Sequence, residues 1–296
     1  MVTVAQLRAF SAVAQCQHFT RAAEQLQIAQ PSVSYQVHAL ERELKVQLIE
    51  LDGRQVYLTD AGERLAVRAA AVLNDLDDIE REMQDYGAGA LGRVRVGASR
   101  TVGSYALPPV LAKFHEAHPS IELMIRVDNT RMIELDLLGR KIDVAILEGR
   151  VTSPNLEVCP VRRDALVLIA APDHPFAKCS HIRREDLRGE AFVVRELGSG
   201  TRALAEDALG PVARETFPVL ELDQPEAIVR AVEAGMGLAF ISEVIVERVV
   251  ATGRLAVIQI EDMDLGREFS IVTLRGRSLS PATQALVAFV TQEWKR

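Results

Sequence analysis

Although 48% of the 296 residues are hydrophobic, the chain has no run of about 18 apolar residues free of charge, the least that spans a bilayer. Residues 1–8 lack the charged start and continuous apolar stretch of a secretory leader, so no membrane partner and a cytoplasmic location are expected. Cysteine is scarce. Cys16, Cys159 and Cys179 are odd in number and far apart, which fits neither a disulfide framework nor a zinc site. No two of the six histidines stand at metal-ligand spacing. A Gly-x-Ser-x-Gly elbow, a Walker-type phosphate loop and a His-Glu-x-x-His motif are all missing, and Gly198-Ser199-Gly200 is too short to stand in for one. These absences speak against an enzyme, and neither a cofactor nor a metal is expected.

Positive charge is lacking as well. The net charge is −7. In the first sixty residues Arg8, Arg21, Arg42, Lys45 and Arg54 stand against Glu24, Glu41, Glu43, Glu50, Asp52 and Asp60, so acids lead by one. Neutralising phosphate supplies most non-specific nucleic-acid affinity, and this balance counts against such a role. The length calls for two or three domains.

What is present points the other way. Val4, Leu7, Phe10, Val13 and Ala14 recur at helical spacing over residues 2–15. After a polar break at residues 15–18, Thr20 is placed to cap a second helix whose small Ala22 and Ala23 allow close packing. A tight turn at Ile28-Ala29 leads to a third helix, with Pro31 tolerated in its first turn. On that helix Val33, Val37, Leu40 and Leu44 form one apolar stripe, while Pro31, Ser34, Tyr35, His38 and Arg42 share the opposite face. Two short helices joined by a turn, the second presenting hydrogen-bonding groups, describe a helix-turn-helix fitted to the major groove. Asp52-Gly53 between two alternating runs predicts a hairpin, a wing with Arg54 at its tip.

These residues resemble a known family. Leu7-Arg8-Ala9-Phe10, Phe19-Thr20-Arg21-Ala22-Ala23-Glu24-Gln25-Leu26, Gln30-Pro31-Ser32-Val33-Ser34, Ala39-Leu40-Glu41 and Leu58-Thr59-Asp60-Ala61-Gly62 match the DNA-binding domain of LysR-type transcriptional regulators across residues 7–65 without a gap. The resemblance implies that Gln30, Pro31, Ser34 and Tyr35 contact bases. It puts Thr20, Arg21, Ser32, His38 and Arg42 near phosphates and makes Arg54 the wing arginine. Tyr35 and His38 stand where Arg, Lys or Gln are common, and Leu51 replaces a frequent Arg. Weaker non-specific binding and an altered half-site follow, with pH-sensitive affinity if His38 lies against phosphate.

Thr59 is placed to cap a helix running to about Tyr86, ahead of Gly87-Ala88-Gly89. Leu65, Ala69, Val72, Leu76, Ile79 and Met83 recur along it at alternating four- and three-residue intervals, a heptad seam that favours pairing of two chains. A dimer would set two recognition helices about 34 Å apart on DNA. In the family resemblance this is the dimerising linker helix; a homodimer or a homotetramer is implied.

From residue 93 onward, strand and helix patterns alternate, which predicts α/β sheets with parallel strands. Ligands of such sheets bind beyond strand carboxyl ends, near helix N-termini. Ser99-Arg100-Thr101, Gly198-Ser199-Gly200-Thr201-Arg202 and Asp223-Gln224 occupy such places, and hydroxyls with arginine and helix N-termini make an anion cradle. Glu226-Ala227-Ile228-Val229, Ala234-Gly235-Met236-Gly237 and Ala239-Phe240-Ile241-Ser242 are similar to the effector-binding domain of LysR-type regulators, and residues 195–202 to the subgroup regulating sulfur or carbon assimilation. The resemblance implies a small anionic effector held by Ser99, Arg100, Thr101, Thr130, Ser199, Gly200, Thr201, Arg202 and Gln224, with Glu148 a closing group.

The expected architecture is an α-helical winged helix-turn-helix domain (1–58), a dimerising linker helix (59–88), and a two-lobed α/β periplasmic-binding-protein-like domain (93–296). Lobe 1 would take about 93–164 and 267–296, and lobe 2 about 165–266. The expected function is a DNA-binding transcriptional regulator that takes promoter DNA and a small effector. The alternative is a LysR-like protein with weakened DNA binding that acts as a small-molecule sensor or protein partner.

Overall fold

The computed structural model describes residues 1–52, 55–88, 92–250 and 253–295. The chain divides into an N-terminal unit that ends with a long helix and a C-terminal α/β unit.

In the N-terminal unit, α1 (Val4–Cys16) is capped by Thr3, whose side chain accepts from the Gln6 amide while Gln6 reaches back to the Thr3 amide. Its Ala9, Phe10, Ala12 and Val13 face inward. The short α2 (Phe19–Leu26) buries Ala22 and Ala23 beside them. Its cap is His18 rather than Thr20: the imidazole Nδ1 accepts from the Thr20 amide, so Thr20 already lies inside the helix. The helix α3 (Gln30–Leu44) buries Val33, Val37 and Leu40. Leu44, expected on that stripe, is 39% exposed because the last turn runs past the core. Gln17, Gln27 and Lys45 end the three helices in left-handed conformations with φ of 51°, 55° and 54°. No glycine marks these stops.

Strands β1 (Ile49–Asp52) and β2 (Gln55–Leu58) pair antiparallel, with Asp52 opposite Gln55. The helix α4 (Asp60–Ala88) follows at once. Thr59 caps it, accepting from the Gly62 amide at 3.0 Å and donating to the Gln47 carbonyl at 2.8 Å. Gly62 is needed here, since a Cβ would sit 2.0 Å from the Leu48 carbonyl oxygen.

In the C-terminal unit, β3 (Arg93–Ser99) is flanked by parallel β4 (Glu122–Asp128) and β5 (Val144–Glu148). Between β3 and β4 run a five-residue π-turn (Val102–Ala106) and α5 (Pro108–Ala117); α6 (Thr130–Leu138) joins β4 to β5. The long β6 (Leu156–Ala170) and β11 (Gly266–Leu274) lie antiparallel to each other, and β11 is antiparallel to β5. The second lobe adds β7 (Ala191–Arg195), α7 (Gly200–Leu209), β8 (Phe217–Leu222), α8 (Pro225–Glu233), β9 (Ala239–Ser242), α9 (Glu243–Val250) and β10 (Ala256–Ile258). There β7 and β8 are parallel, whereas β9 and β10 both pair antiparallel with β6. The chain closes on α10 (Pro281–Lys295), packed on lobe 1.

The expectation of parallel sheets therefore holds only for β3, β4 and β5 in lobe 1 and for β7 and β8 in lobe 2. Two long strands, β6 and β11, run antiparallel from one lobe to the other, and β6 is continuous through residues 164 and 165. Each lobe has apolar clusters of its own: Val94, Val96, Phe114, Ile146 and Phe269 in lobe 1, and Leu168, Phe192, Leu209, Leu238 and Phe240 in lobe 2.

Candidate functional site

The outer face of α3 is built by subtraction. With Val33, Val37 and Leu40 turned inward, Pro31, Ser32, Tyr35, His38 and Arg42 must point out, and all five are exposed. Gln30, Thr20 and Arg21 are exposed beside them, while Ser34 is half-buried. Tyr35 is 64% exposed, and the Arg42 guanidinium lies 5.9 Å from its ring centroid. His38 Nδ1 faces Glu41 at 3.0 Å, and Glu41 also accepts from the Leu48 and Ile49 amides. This carboxylate fixes the end of α3 to the start of the wing. Arg54 lies outside the described residues.

On α4, Leu65 packs against the helix-turn-helix core and Ala69 is buried. Both are used within the chain, which corrects the seam proposed from the heptad. Arg8 on α1 also reaches Asp77 on α4 at 3.1 Å. Further along, Val72, Ile79 and Met83 are exposed and Leu76 is half-buried.

In the α/β unit several of the predicted effector residues come together. Ser99, at the end of β3, donates to Glu148 at the end of β5. Thr130, opening α6, reaches the Glu148 carbonyl at 3.3 Å. Ser199 caps α7, and the turn leading into α7 lies directly on lobe 1: the Gly198 carbonyl accepts from the Arg131 amide at 3.2 Å. A Cβ on Gly200 would lie 2.6 Å from the Glu148 carbonyl oxygen, so glycine is what lets the lobes touch here. Ser99, Thr101, Thr130, Glu148, Ser199 and Thr201 are all buried.

Three predicted residues are placed differently from expectation. Glu148 is an enclosed carboxyl at 1% exposure, not a group free to close on a ligand. Arg202 turns toward lobe 2, where it binds Glu206, Glu221 and the Arg195 carbonyl. Gln224 is exposed and makes no side-chain cap bond to α8, although its neighbour Asp223 pairs with Arg100 at 3.0 Å.

Sequence reasoning missed the charged frame beneath this junction. Arg267 on β11 donates to Asp164 on β6 at 2.7 Å and to Thr201 at 3.0 Å. Ser242 also donates to Asp164. Arg195 pairs with Glu196, and Arg100 lies 3.7 Å from Glu196. Burial pushes the Glu148 carboxyl above its usual range, against the opposing pull of Arg267 and Arg195. Among the described residues, Arg100 Nε and Arg267 Nη2 are buried without a hydrogen-bond partner, and the buried Thr101 hydroxyl has only the Glu148 carboxyl beside it. Orphaned donors of this kind are costly unless something supplies acceptors. A buried hydroxyl and the spare N–H groups of two arginines already paired with carboxylates, beside the α6 and α7 N-termini, can hold a small anion.

A winged helix-turn-helix, a long helix and a two-lobed α/β unit define a one-component regulator in class, and the comparisons agree. The model described as "Bacterial regulatory helix-turn-helix protein, lysR family" matches residues 4–63, and "LysR substrate binding domain" matches residues 87–295. The chain belongs to the LysR family of transcriptional regulators. It is 34% identical to the RuBisCO operon transcriptional regulator of Allochromatium vinosum, covering 100% of this chain and 97% of that one. It is also similar to the regulatory domain of CcmR from Synechocystis PCC6803, solved in complex with 2-PG, at 30% identity and a TM-score of 0.66 over 69% of this chain and 98% of that one. Full-length OxyR from Pseudomonas aeruginosa shares the fold, with a TM-score of 0.72 at 24% identity over 100% of this chain and 95% of that one. Among the described residues, no helix is long and apolar enough to cross a membrane.

Proposed function

We propose that this LysR-type regulator controls a carbon-fixation operon, and that its effector is a small anion bound where the lobes meet. The observation that carries the effector reading is the set of buried donors on Thr101, Arg100 and Arg267 whose hydrogen-bonding capacity the chain does not fill, beside two helix N-termini. The reported CcmR complex makes 2-PG the first anion to try. On DNA, Gln30, Pro31, Ser34 and Tyr35 read base edges, and Thr20, Arg21, Ser32, His38, Arg42 and Arg54 hold phosphates. The exposed part of α4, from Val72 through Leu76 and Ile79 to Met83, pairs with a second copy. Effector binding changes the arrangement of subunits only as far as it binds one arrangement more tightly than the other.

The test is selection of sites from a random double-stranded DNA pool with and without 2-PG, beside calorimetric titration of 2-PG into the wild type and Thr101→Val. Enrichment of a palindromic site, with saturable 2-PG binding weakened in Thr101→Val, supports the proposal. Binding of neutral ligands and no anion would overturn the effector reading, and enrichment of nothing by a folded dimer would overturn the DNA reading.

A further inference from the structure

A concavity lies in lobe 2, lined along α7 by Thr201, Arg202, Ala205, Glu206 and Leu209. It has a volume of about 340 Å³, within the usual range for small-molecule sites. Its floor is the stacked pair Phe192 and Phe240, with ring centroids 5.8 Å apart and planes at 14°. Ala205, Leu209, Ala213 and Pro218 form apolar walls. The two aromatic rings and small side chains leave a slot suited to a flat hydrocarbon body.

The rim supplies the polar requirement. Arg195 and Arg202 face the space but are already neutralised, by Glu196 and by Glu206 with Glu221. Arg214 also lines it, is exposed, and has no carboxylate partner among the described residues. Arg214, a guanidinium with no direct carboxylate partner among the described residues, stands at the mouth of an apolar slot whose one lining carboxylate, Glu206, is held by Arg202, and this matches a molecule with one carboxylate and an apolar remainder. We infer that this lobe-2 pocket is a second ligand site, separate from the inter-lobe junction, that takes an amphipathic monocarboxylate of the arylalkanoate type. Its occupancy reaches the junction through α7, because Thr201 and Arg202 line the pocket while Thr201 also accepts from Arg267.

The probe is 4-phenylbutyrate, with 4-phenylbutanol as its uncharged counterpart, titrated calorimetrically into the full-length protein. Saturable binding of the acid, tighter than that of the alcohol, is expected. Arg214→Gln changes an exposed rim residue and should weaken the acid about fivefold, the scale of one exposed charge pair, while leaving the alcohol unchanged. Ala205→Leu fills the slot and should remove both. Titration of 2-PG alongside separates this site from the junction: Arg214→Gln leaves any 2-PG binding intact. Absence of saturable 4-phenylbutyrate binding to the wild type would overturn the inference. So would binding that ignores both lobe-2 substitutions and is lost in Thr101→Val.

Discussion

Gly200→Ala tests whether contact at one glycine governs the junction between the lobes. The glycine opens α7 with no positive φ, so a helix former there should gain about 0.5–1 kcal/mol from propensity alone. Against this, the added methyl would meet the Glu148 carbonyl oxygen at 2.6 Å and Thr130 Oγ1 at 3.0 Å. Thr130 can rotate, but the carbonyl belongs to the end of a fully buried strand and cannot. Relief requires the start of α7 to move off residues 148–149, disturbing the contacts of Ser199 and Thr201. Overpacking of this kind costs about 1–3 kcal/mol, so the net effect is a loss of about 1–2 kcal/mol. For a domain of this size that is a fall in Tm of about 2–8 °C. Scanning calorimetry of the full-length protein measures it, with 2-PG titration as the second readout. A Tm equal to or above that of the wild type, with unchanged ligand affinity, would refute the claim that close approach at Gly200 holds the lobes together.

Glu148→Gln should remove a pH dependence. The folded carboxyl titrates above its usual range because it is buried, so its contribution to stability is complete below the unfolded value and is lost as pH rises through the folded one. Denaturant unfolding across pH 4 to 8 should show the wild type losing ground to the variant as pH rises, and parallel curves would contradict it. Asp143 has the opposite sign: burial raises its carboxyl, but hydrogen bonds and charge from Arg95, with Arg277, lower it further. Its stabilisation is present above the usual carboxylate range and lost as pH falls through the folded value, so Asp143→Asn should cost about 1–3 kcal/mol at neutral pH and progressively less in acid. On α4, Ile79→Glu should convert dimer to monomer in sedimentation, and an unaltered dimer would remove the seam from the interface.

How much of this was legible depends on the range of the interaction that fixes each element. Helices α1 to α3 and the hairpin were readable because Val33, Val37 and Leu40 repeat at one period and Asp52-Gly53 punctuates two strands. The first two stops were readable from the polar break at residues 15–18 and the turn at Ile28-Ala29, but the stop at Lys45 and the left-handed conformations of Gln17, Gln27 and Lys45 were not, since each is an ordinary residue held there by what surrounds it. Ser99, Thr130 and Ser199 could be found at strand-to-helix turns, where chain order itself marks a ligand site. Arg267 and Asp164 could not: they are far apart in sequence, each sits in an unremarkable strand, and only the antiparallel crossing of β6 and β11 brings them together under Thr201. The antiparallel crossing was itself hidden, because alternation of strands and helices reports local order and not strand direction between lobes. Leu65 and Ala69 share a heptad with Ile79 and Met83, and period alone does not say which turns are spent on the chain's own core.

The acidic balance of the first sixty residues also reads differently once the carboxylates are placed. Glu41 is turned in, accepting from the Leu48 and Ile49 amides and facing His38, so it is part of the scaffold rather than of the outward field. Arg21 and Arg42 are exposed, and Arg54 follows the wing strand in sequence. If these three cations on each subunit of a dimer neutralise phosphate, about six counterions are displaced, and log affinity should fall against log salt with a slope of about −5. Replacing Arg21 or Arg42 by Gln removes two cations per dimer and should make the slope shallower by about 2. Fluorescence anisotropy on a non-specific duplex between 50 and 300 mM salt measures both. A wild-type slope flatter than about −2, unchanged in either variant, would mean that the net acidic charge prevails. The sensor with weakened DNA binding would then be the better account of the protein.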